Sequence, residues 1–404
     1  MARRIAVFTG NRAEYGLLSP ILRSLEAEPG IELLLIVGGA HLDAAFGHTR
    51  DEIVADGFDI SAEITAGTGK DTARAIGEGV VAVTDVLETL RPDLLVVYGD
   101  RFEAFAALIA ASQSNIPVAH IEGGDKTEGG ALDDSVRHAM TKLAHIHLAT
   151  NPDAAWRITA MGEEPWRVHT VGLPVIDRIK AGDFPTAGEV AATLGLDLTR
   201  PVILFTQHAI TTEPGRALAQ LEPSLTAMER AMAETGAQVV ATYPNNDDGG
   251  DAILERLKAW SFGRADVVLR QSLGRALYHG TLNVAGQVTR GVCVGNSSSG
   301  LKETPAFGCP TVNIGSRQSG RLAAQNVLHV AYDSEAIFDA LMRCINDDEF
   351  RLLAATCPNP YGEGNTGPKV VAILRDVDLK DAALLQKKLT LDPKAGSRED
   401  GAYG

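Results

Sequence analysis

Short apolar runs recur along this chain, each closed by glycine or a polar turn and most followed by a stretch with helical apolar spacing. Residues 4–9, 31–37, 94–98, 116–119, 146–149 and 168–171 form one series. Residues 202–206, 239–243, 267–269, 292–295 and 311–314 form a second. Runs this short and this apolar read as strands buried on both faces. Between them lie amphipathic helices, as at Leu17, Leu18, Ile21, Leu22 and Leu25, or over Thr72–Leu90. Strict alternation of strand and helix predicts α/β architecture: a parallel sheet with helices on both faces.

At 404 residues the chain is too long for one such domain. Gly172-Leu173-Pro174 to Phe184-Pro185 reads as an interdomain linker. The expectation is an N-terminal Rossmann-like domain over 1–173 and a C-terminal one over 186–366. A helix over 367–385 follows a Pro-, Gly- and Asn-rich bend and is expected to pack back on the first domain. Residues 391–404 read as a disordered tail. Two doubly wound domains facing a central cleft make the GT-B type of architecture, in which a nucleotide-sugar lies between the halves. That fold hosts many functions, so the site must decide among them.

The net charge of −15 argues against nucleic acid or an anionic membrane as partner, since both need a basic footprint. An anionic substrate stays open where a few arginines gather. Cys293, Cys309, Cys344 and Cys357 match no metal spacing. No apolar stretch reaches transmembrane length, and the first strand begins too early to leave room for a signal peptide. The expectation is a cytoplasmic protein with reduced thiols.

Polar clusters fall just after the expected strands, where open α/β sheets bind ligands. Arg12, His41, Asp100 with Arg101, and Glu122 do so in the first half. His208, Asn245 with Asn246 and Asp247, Ser297 with Ser298, and Arg317 do so in the second. The stretch from His120 to His138 is the densest, with Glu122, Asp125, Glu128, Asp133 and Asp134 among four glycines. It reads either as a ligand loop or as an ordinary solvated acidic loop. Asp100, Glu122 and Asp134 are the acid/base candidates, with His208 as an acid or phosphate partner. His138, His145 and His147 read as structural.

Gly295-Asn296-Ser297-Ser298-Ser299-Gly300 reads as a strand-to-helix turn whose hydroxyls and N–H groups suit a diphosphate. It is neither a GxGxxG nor a Walker A pattern, and Gly67-Thr68-Gly69-Lys70 also fails the Walker spacing, so dinucleotide and P-loop chemistry lose support. Glu303 is expected to open the next helix and to accept from ribose hydroxyls, although a lone Glu is ordinarily a surface residue. Arg12, Arg101, Arg317 and Arg321 can neutralise a diphosphate, and each alone is equally an ordinary ion pair. HExxH is absent and no catalytic metal is expected.

Several of these motifs occur together in one known family. They are Thr9-Gly10-Asn11-Arg12-Ala13-Glu14-Tyr15-Gly16, Gly99-Asp100-Arg101-Phe102-Glu103, His120-Ile121-Glu122-Gly123-Gly124 and Asp133-Asp134-Ser135-Val136-Arg137-His138. Thr206-Gln207-His208, Tyr243-Pro244-Asn245-Asn246-Asp247, the 295–300 turn and Gly315-Ser316-Arg317-Gln318 extend the set. Over residues 4–378 the chain resembles the hydrolysing UDP-N-acetylglucosamine 2-epimerases of sialic acid synthesis. That family includes relatives acting on diacetamido-sugar nucleotides for legionaminic acid.

The resemblance implies a UDP-sugar substrate, no cofactor and a homodimer or homotetramer. It implies loss of the C2 proton with elimination of UDP to 2-acetamidoglucal, then hydration to N-acetylmannosamine. By motif match Asp100, Glu122 and Asp134 form the acid/base group with His208 beside them. Arg12, Ser297, Ser298, Glu303 and Arg317 go to UDP, and His41, Arg101 and Asn245 join them as substrate-binding candidates. Non-hydrolysing relatives carry Glu where this chain has Asp134, which favours the hydrolysing reading. The alternatives are the same reaction on a nucleotide-linked 2,4-diacetamido-2,4,6-trideoxyhexose, a GT-B glycosyltransferase, and a non-enzymatic nucleotide-sugar sensor.

Overall fold

The computed structural model describes residues 2–43, 49–66, 71–126, 132–210, 212–245 and 247–391. Gly67–Lys70, Glu128, Asn246 and the expected tail beyond Leu391 lie outside them. The chain divides into two compact units. One holds the residues up to Pro174 together with those from Asn365 on, and the other holds Val175–Gly364.

The first unit is built on a seven-stranded sheet: β1 (Arg3–Thr9), β2 (Ile31–Gly38), β3 (Ile60–Ile64), β4 (Leu94–Tyr98), β5 (Val118–Ile121), β6 (Ile146–Ala149) and β7 (Val168–Thr170). The second is built on a six-stranded sheet: β8 (Val202–Thr206), β9 (Gln238–Thr242), β10 (Val267–Arg270), β11 (Val292–Gly295), β12 (Thr311–Ile314) and β13 (Val327–Val330). Their orders are β3-β2-β1-β4-β5-β6-β7 and β10-β9-β8-β11-β12-β13, parallel throughout. Both sheets are doubly wound, reversing direction between β1 and β4 and between β8 and β11. Ligands of such sheets bind beyond the strand carboxyl ends at the reversal.

Burial on both faces explains the apolar runs. Ile5 and Val7 of β1 pack with Leu18, Ile21, Leu22 and Leu25 of the helix Arg12–Glu26, and with Val370, Val371 and Leu374 of the helix Thr366–Asp376. Ala6 and Phe8 point the other way, onto Val83, Leu87, Ala104 and Leu108. Fully burying an aliphatic side chain of this size contributes about 1.5–3 kcal/mol. The edge strands β3 and β13 were not expected from the sequence. Their residues are mostly half-buried or exposed, so no continuous apolar run marks them. The expected linker region holds a helix, Val175–Lys180, whose Val175, Ile176 and Ile179 are buried.

The C-terminal segment belongs to the first unit. At Gly367 a Cβ would stand 2.3 Å from Ser24 Oγ and 2.9 Å from the Pro20 carbonyl, so only glycine allows this approach. The single helix expected over 367–385 is in fact two, Thr366–Asp376 and Ala382–Leu385. Between them the Asp378 and Asp381 carboxylates accept from the Lys380 and Ala383 N–H groups, each at 2.9 Å, and such local bonds compete with helix. Lys387 then donates to the carbonyls of Lys142 at 2.8 Å and Ala144 at 2.6 Å and pairs with buried Glu163 at 2.6 Å. Burial alone would raise the Glu163 pKa, but hydrogen bonds from His147, Lys142 and Lys387 bring it down to about 2. Among the described residues no helix is long and apolar enough to cross a membrane.

Candidate active site

In the first unit Asp100 follows the end of β4 and Glu122 the end of β5, neighbouring strands beside the reversal. Asp134 lies in the first turn of the helix Leu132–Leu143. Arg137 draws them together. It sits three residues after Asp134 on the same helix face and is only 5% exposed. One guanidinium nitrogen, Nη1, donates to Asp134 Oδ1 at 2.8 Å and to the Asp125 carbonyl at 2.9 Å, and Nη2 donates to Asp100. Burial opposes the charge on Arg137, but Asp100, Glu122, Asp125 and Asp134 outweigh it and raise its pKa. Sequence reasoning assigned Arg137 no role. Its one local signal is its spacing from Asp134.

The Glu122 backbone is held at φ +66°, a left-handed conformation costly for any residue with a side chain. Its N–H donates to the Leu148 carbonyl of β6 at 3.1 Å. Its carboxyl lies beside the Tyr98 hydroxyl, whose pKa is driven well up by burial first and by the Glu122 charge second. Asp100 is likewise raised, by burial and by Glu122 against the pull of Arg137. Coupled carboxyls of this kind split their protonation, so that one can hold a proton while another accepts one. Asp125 is buried, unlike a residue of an ordinary solvated loop, and its carbonyl serves Arg137. Exposed Asp133 shares the first turn of the same helix.

The histidines here are scaffold. His120 is bonded through Nε2 to the Gly99 carbonyl at 2.7 Å, tying β5 to the turn that carries Asp100. His145 accepts the Val118 N–H at 3.1 Å, and His147 meets Glu163 at 3.0 Å. His41, expected to contact substrate, is fully buried between Thr9 Oγ1 at 3.1 Å and Thr49 Oγ1 at 2.8 Å. With both ring nitrogens engaged it supports the loops after β1 and β2. Burial lowers its pKa to about 4, against a hydrogen bond with the Asn11 backbone. Arg12 lies on the surface, paired with Glu52 at 2.9 Å. Half-exposed Arg101 pairs with Glu103 at 3.2 Å.

In the second unit the hub is Asn296, which sequence reasoning left without an individual role. Its Oδ1 accepts the His208 N–H at 2.7 Å, and its Nδ2 donates to the His208 carbonyl at 2.9 Å. Its own carbonyl accepts from Arg317 Nη1 at 3.2 Å and Gln318 Nε2 at 2.8 Å. One buried amide thus joins the loops after β8, β11 and β12. Gly295 makes the join possible: it sits at φ +125°, and a Cβ there would stand 1.9 Å from the Thr206 carbonyl.

His208 Nδ1 accepts the Asn245 N–H at 3.0 Å, which leaves the proton of the neutral ring on Nε2. Burial, and then Arg317, lower its pKa to about 4. The neutral ring in this tautomer offers an N–H hydrogen bond from Nε2. Asn245 also donates from Nδ2 to Asp247.

The turn after β11 differs from expectation. Its helix, Ser299–Lys302, is a single turn, followed by a separate 3-10 turn at Thr304–Phe307 that holds Pro305. Proline cannot continue the helical ladder. A single turn supplies N–H groups but little macrodipole, so anion binding here rests on local donors. Ser297 Oγ lies 3.0 Å from Ser299 Oγ, which lies 2.7 Å from the Tyr278 hydroxyl. Ser298 occupies the helix N-cap but makes no capping bond through its hydroxyl. Glu303 sits between the two turns rather than opening a helix, and it meets buried His279 Nε2 at 2.8 Å. His279 carried no sequence signal.

Residues 23–375 match the family model for UDP-N-acetylglucosamine 2-epimerase. A UDP-N,N'-diacetylbacillosamine 2-epimerase (hydrolyzing) of Legionella pneumophila is 32% identical over 388 residues, covering 95% of this chain and 98% of the relative. A UDP-N-acetylglucosamine 2-epimerase of Neisseria meningitidis is 32% identical over 354 residues, covering 86% of this chain and 89% of the relative. In fold, the chain is similar to the solved UDP-GlcNAc 2-epimerase from Neisseria meningitidis bound to UDP-GlcNAc. That match has a TM-score of 0.77 at 19% identity, over 93% of this chain and all of the other.

Proposed function

The chain belongs to the UDP-N-acetylglucosamine 2-epimerase family, and within it we propose that the protein is a hydrolysing enzyme, converting UDP-N-acetylglucosamine and water to N-acetylmannosamine and UDP. The observation that carries this reading is the gathering of Asp100, Glu122 and Asp134 around buried Arg137. A carboxylate of this group takes the C2 proton while the C1–O bond to UDP breaks, leaving the C1=C2 double bond of 2-acetamidoglucal. Water then adds its oxygen at C1, and a proton returns to C2 on the opposite face. A weakly acidic C–H needs a desolvated base, and the departing diphosphate needs donors aimed at its growing charge. By their chemistry, His208 Nε2–H, Arg317 and the Ser297–Ser299 turn of the second unit are proposed as diphosphate donors, with Glu303 proposed for the ribose.

A second reading is the same reaction on a UDP-linked 2,4-diacetamido-2,4,6-trideoxyhexose. The Legionella relative, matched along nearly its whole length, favours it. Incubating the enzyme with each nucleotide-sugar and identifying the free sugar decides between them. UDP released with N-acetylmannosamine supports the first reading; turnover of the diacetamido substrate alone replaces it with the second. A UDP-linked mannosamine derivative, with no UDP released, removes the hydrolytic step.

Arg317→Ala is expected to weaken UDP binding about 10- to 100-fold, the usual cost of losing a charge-assisted contact to phosphate. Calorimetric titration with UDP measures it. Unchanged affinity would take Arg317 out of the nucleotide site.

A further inference from the structure

The reaction above leaves a fourth carboxyl of the same region without a role. Glu14 lies in the first turn of the helix Arg12–Glu26 and is only 4% exposed. Its Oε2 accepts from the Gly10 N–H and from Asn11 Nδ2, both at 3.2 Å, while its N–H donates to Asn11 Oδ1 at 3.0 Å. This is reciprocal capping, and capping needs only one carboxyl oxygen. The other oxygen, Oε1, is buried with no hydrogen-bond partner among the described residues. Burying a charged carboxylate with one oxygen unmatched is far costlier than burying a neutral carboxyl.

The groups around Glu14 make ionisation costlier still. Glu103 faces it from the helix Phe102–Gln113, Asp100 and Arg101 from the turn before that helix, and Tyr98 from β4. Glu103 is itself buried; one of its oxygens accepts from Arg101 and the other has no partner among the described residues. Burial first, then Glu103 and Asp100 against the Gly10 N–H and Arg101, carry the Glu14 pKa up to about 8. Arg101 also faces Asp133. A guanidinium has five N–H donors, and one bond to Glu103 leaves others for a ligand.

We propose that Glu14 is a positioning residue that must remain a neutral carboxyl, and that its ionisation draws Arg101 onto Glu14 and away from the diphosphate of the substrate. The Glu14 O–H bond breaks, its proton leaves to solvent with the electron pair kept on the carboxylate, and no other bond changes. The Arg101 step rests on the proposed UDP-sugar reading; the protonation of Glu14 does not.

The experiment combines UDP affinity from pH 7 to 9.5 with infrared titration of the carboxyls in the ligand-free enzyme, for wild type, Glu14→Gln and Glu103→Gln. In wild type, UDP affinity is expected to fall roughly tenfold for each pH unit above about 8, as for loss of one proton. A protonated-carboxyl band is expected to disappear over the same range. Glu14→Gln lacks that band and loses the alkaline fall. Glu103→Gln removes a charge that hinders ionisation, so both transitions move to lower pH. The proposal is overturned by a Glu14→Gln enzyme that keeps the alkaline fall, by a wild type without the band at pH 7, or by transitions that Glu103→Gln leaves in place. Should Glu14→Gln not fold, the wild-type band and its shift in Glu103→Gln decide the question. Absence of UDP binding at every pH defeats the functional reading instead, and the infrared titration still tests the protonation.

Discussion

Replacing Glu122 by Gln is expected to abolish turnover, with kcat falling by a factor of about 100 to 10,000, while UDP affinity stays within about twofold. The amide keeps the size and one acceptor oxygen of the carboxyl but cannot take up a proton. Glu122 is the member of the cluster most constrained by the fold, held at φ +66° at the end of β5. Natural chains keep such strained positions where function needs the side chain aimed a particular way. The charge of Glu122 acts on Asp100, Tyr98 and Arg137, so it lies among them electrically as well as in sequence motif. Steady-state UDP release and calorimetric UDP binding together make the check. Equal loss of both would mark Glu122 as a structural residue.

Arg137→Met is the second large effect, and it strikes stability as well as rate. The substitution keeps the aliphatic stem and deletes the cation that joins Asp100 to Asp134. Leaving buried carboxylates without their partner costs about 3–5 kcal/mol, or on the order of 10 °C in the first unit's unfolding midpoint. The pH dependence has a definite sign. The folded-state pKa of Asp100 already lies above its ordinary value of 3.8 because of burial, and losing Arg137 raises it further. A carboxyl with a raised folded pKa gives its full stability at acid pH and loses it as pH climbs through that folded pKa. Arg137→Met is therefore expected to be closest to wild type near pH 4 and furthest below it at neutral pH. Scanning calorimetry across that range tests this. A variant equally destabilised at every pH would show that Arg137 acts through packing alone. Arg137→Lys restores charge but not the fork, so it should recover stability more than turnover.

The parts of the fold that were legible are those whose physics is local. A strand covered on both faces must be apolar at nearly every position, and β1, β4 and β8 announce themselves that way. The edge strands β3 and β13 have no such requirement and left no run to read. Candidates for the site were legible where motifs mark element ends: Asp100, Glu122 and His208 follow strands, and Asp134 lies in the first turn of a helix. The residues that organise those groups were not. Arg137 meets Asp100 across 37 positions and Asn296 meets His208 across 88, pairings that only the closed sheets create. Glu14 looked like a motif letter beside Arg12, yet it is Glu14 that is buried while Arg12 pairs with Glu52 at the surface. The surroundings of His41 were equally hidden, since its sequence position says nothing about Thr9 and Thr49 closing over both ring nitrogens.

The carboxyls gathered around Arg137 are proposed to remove the C2 proton as UDP leaves. Turnover of UDP-N-acetylglucosamine in D2O tests it most directly, with the released sugar examined by NMR. The predicted result is free N-acetylmannosamine carrying deuterium at C2, formed in step with UDP and missing with Glu122→Gln. Product retaining its original C2 proton, or turnover that begins only when a sugar acceptor is added, would contradict it.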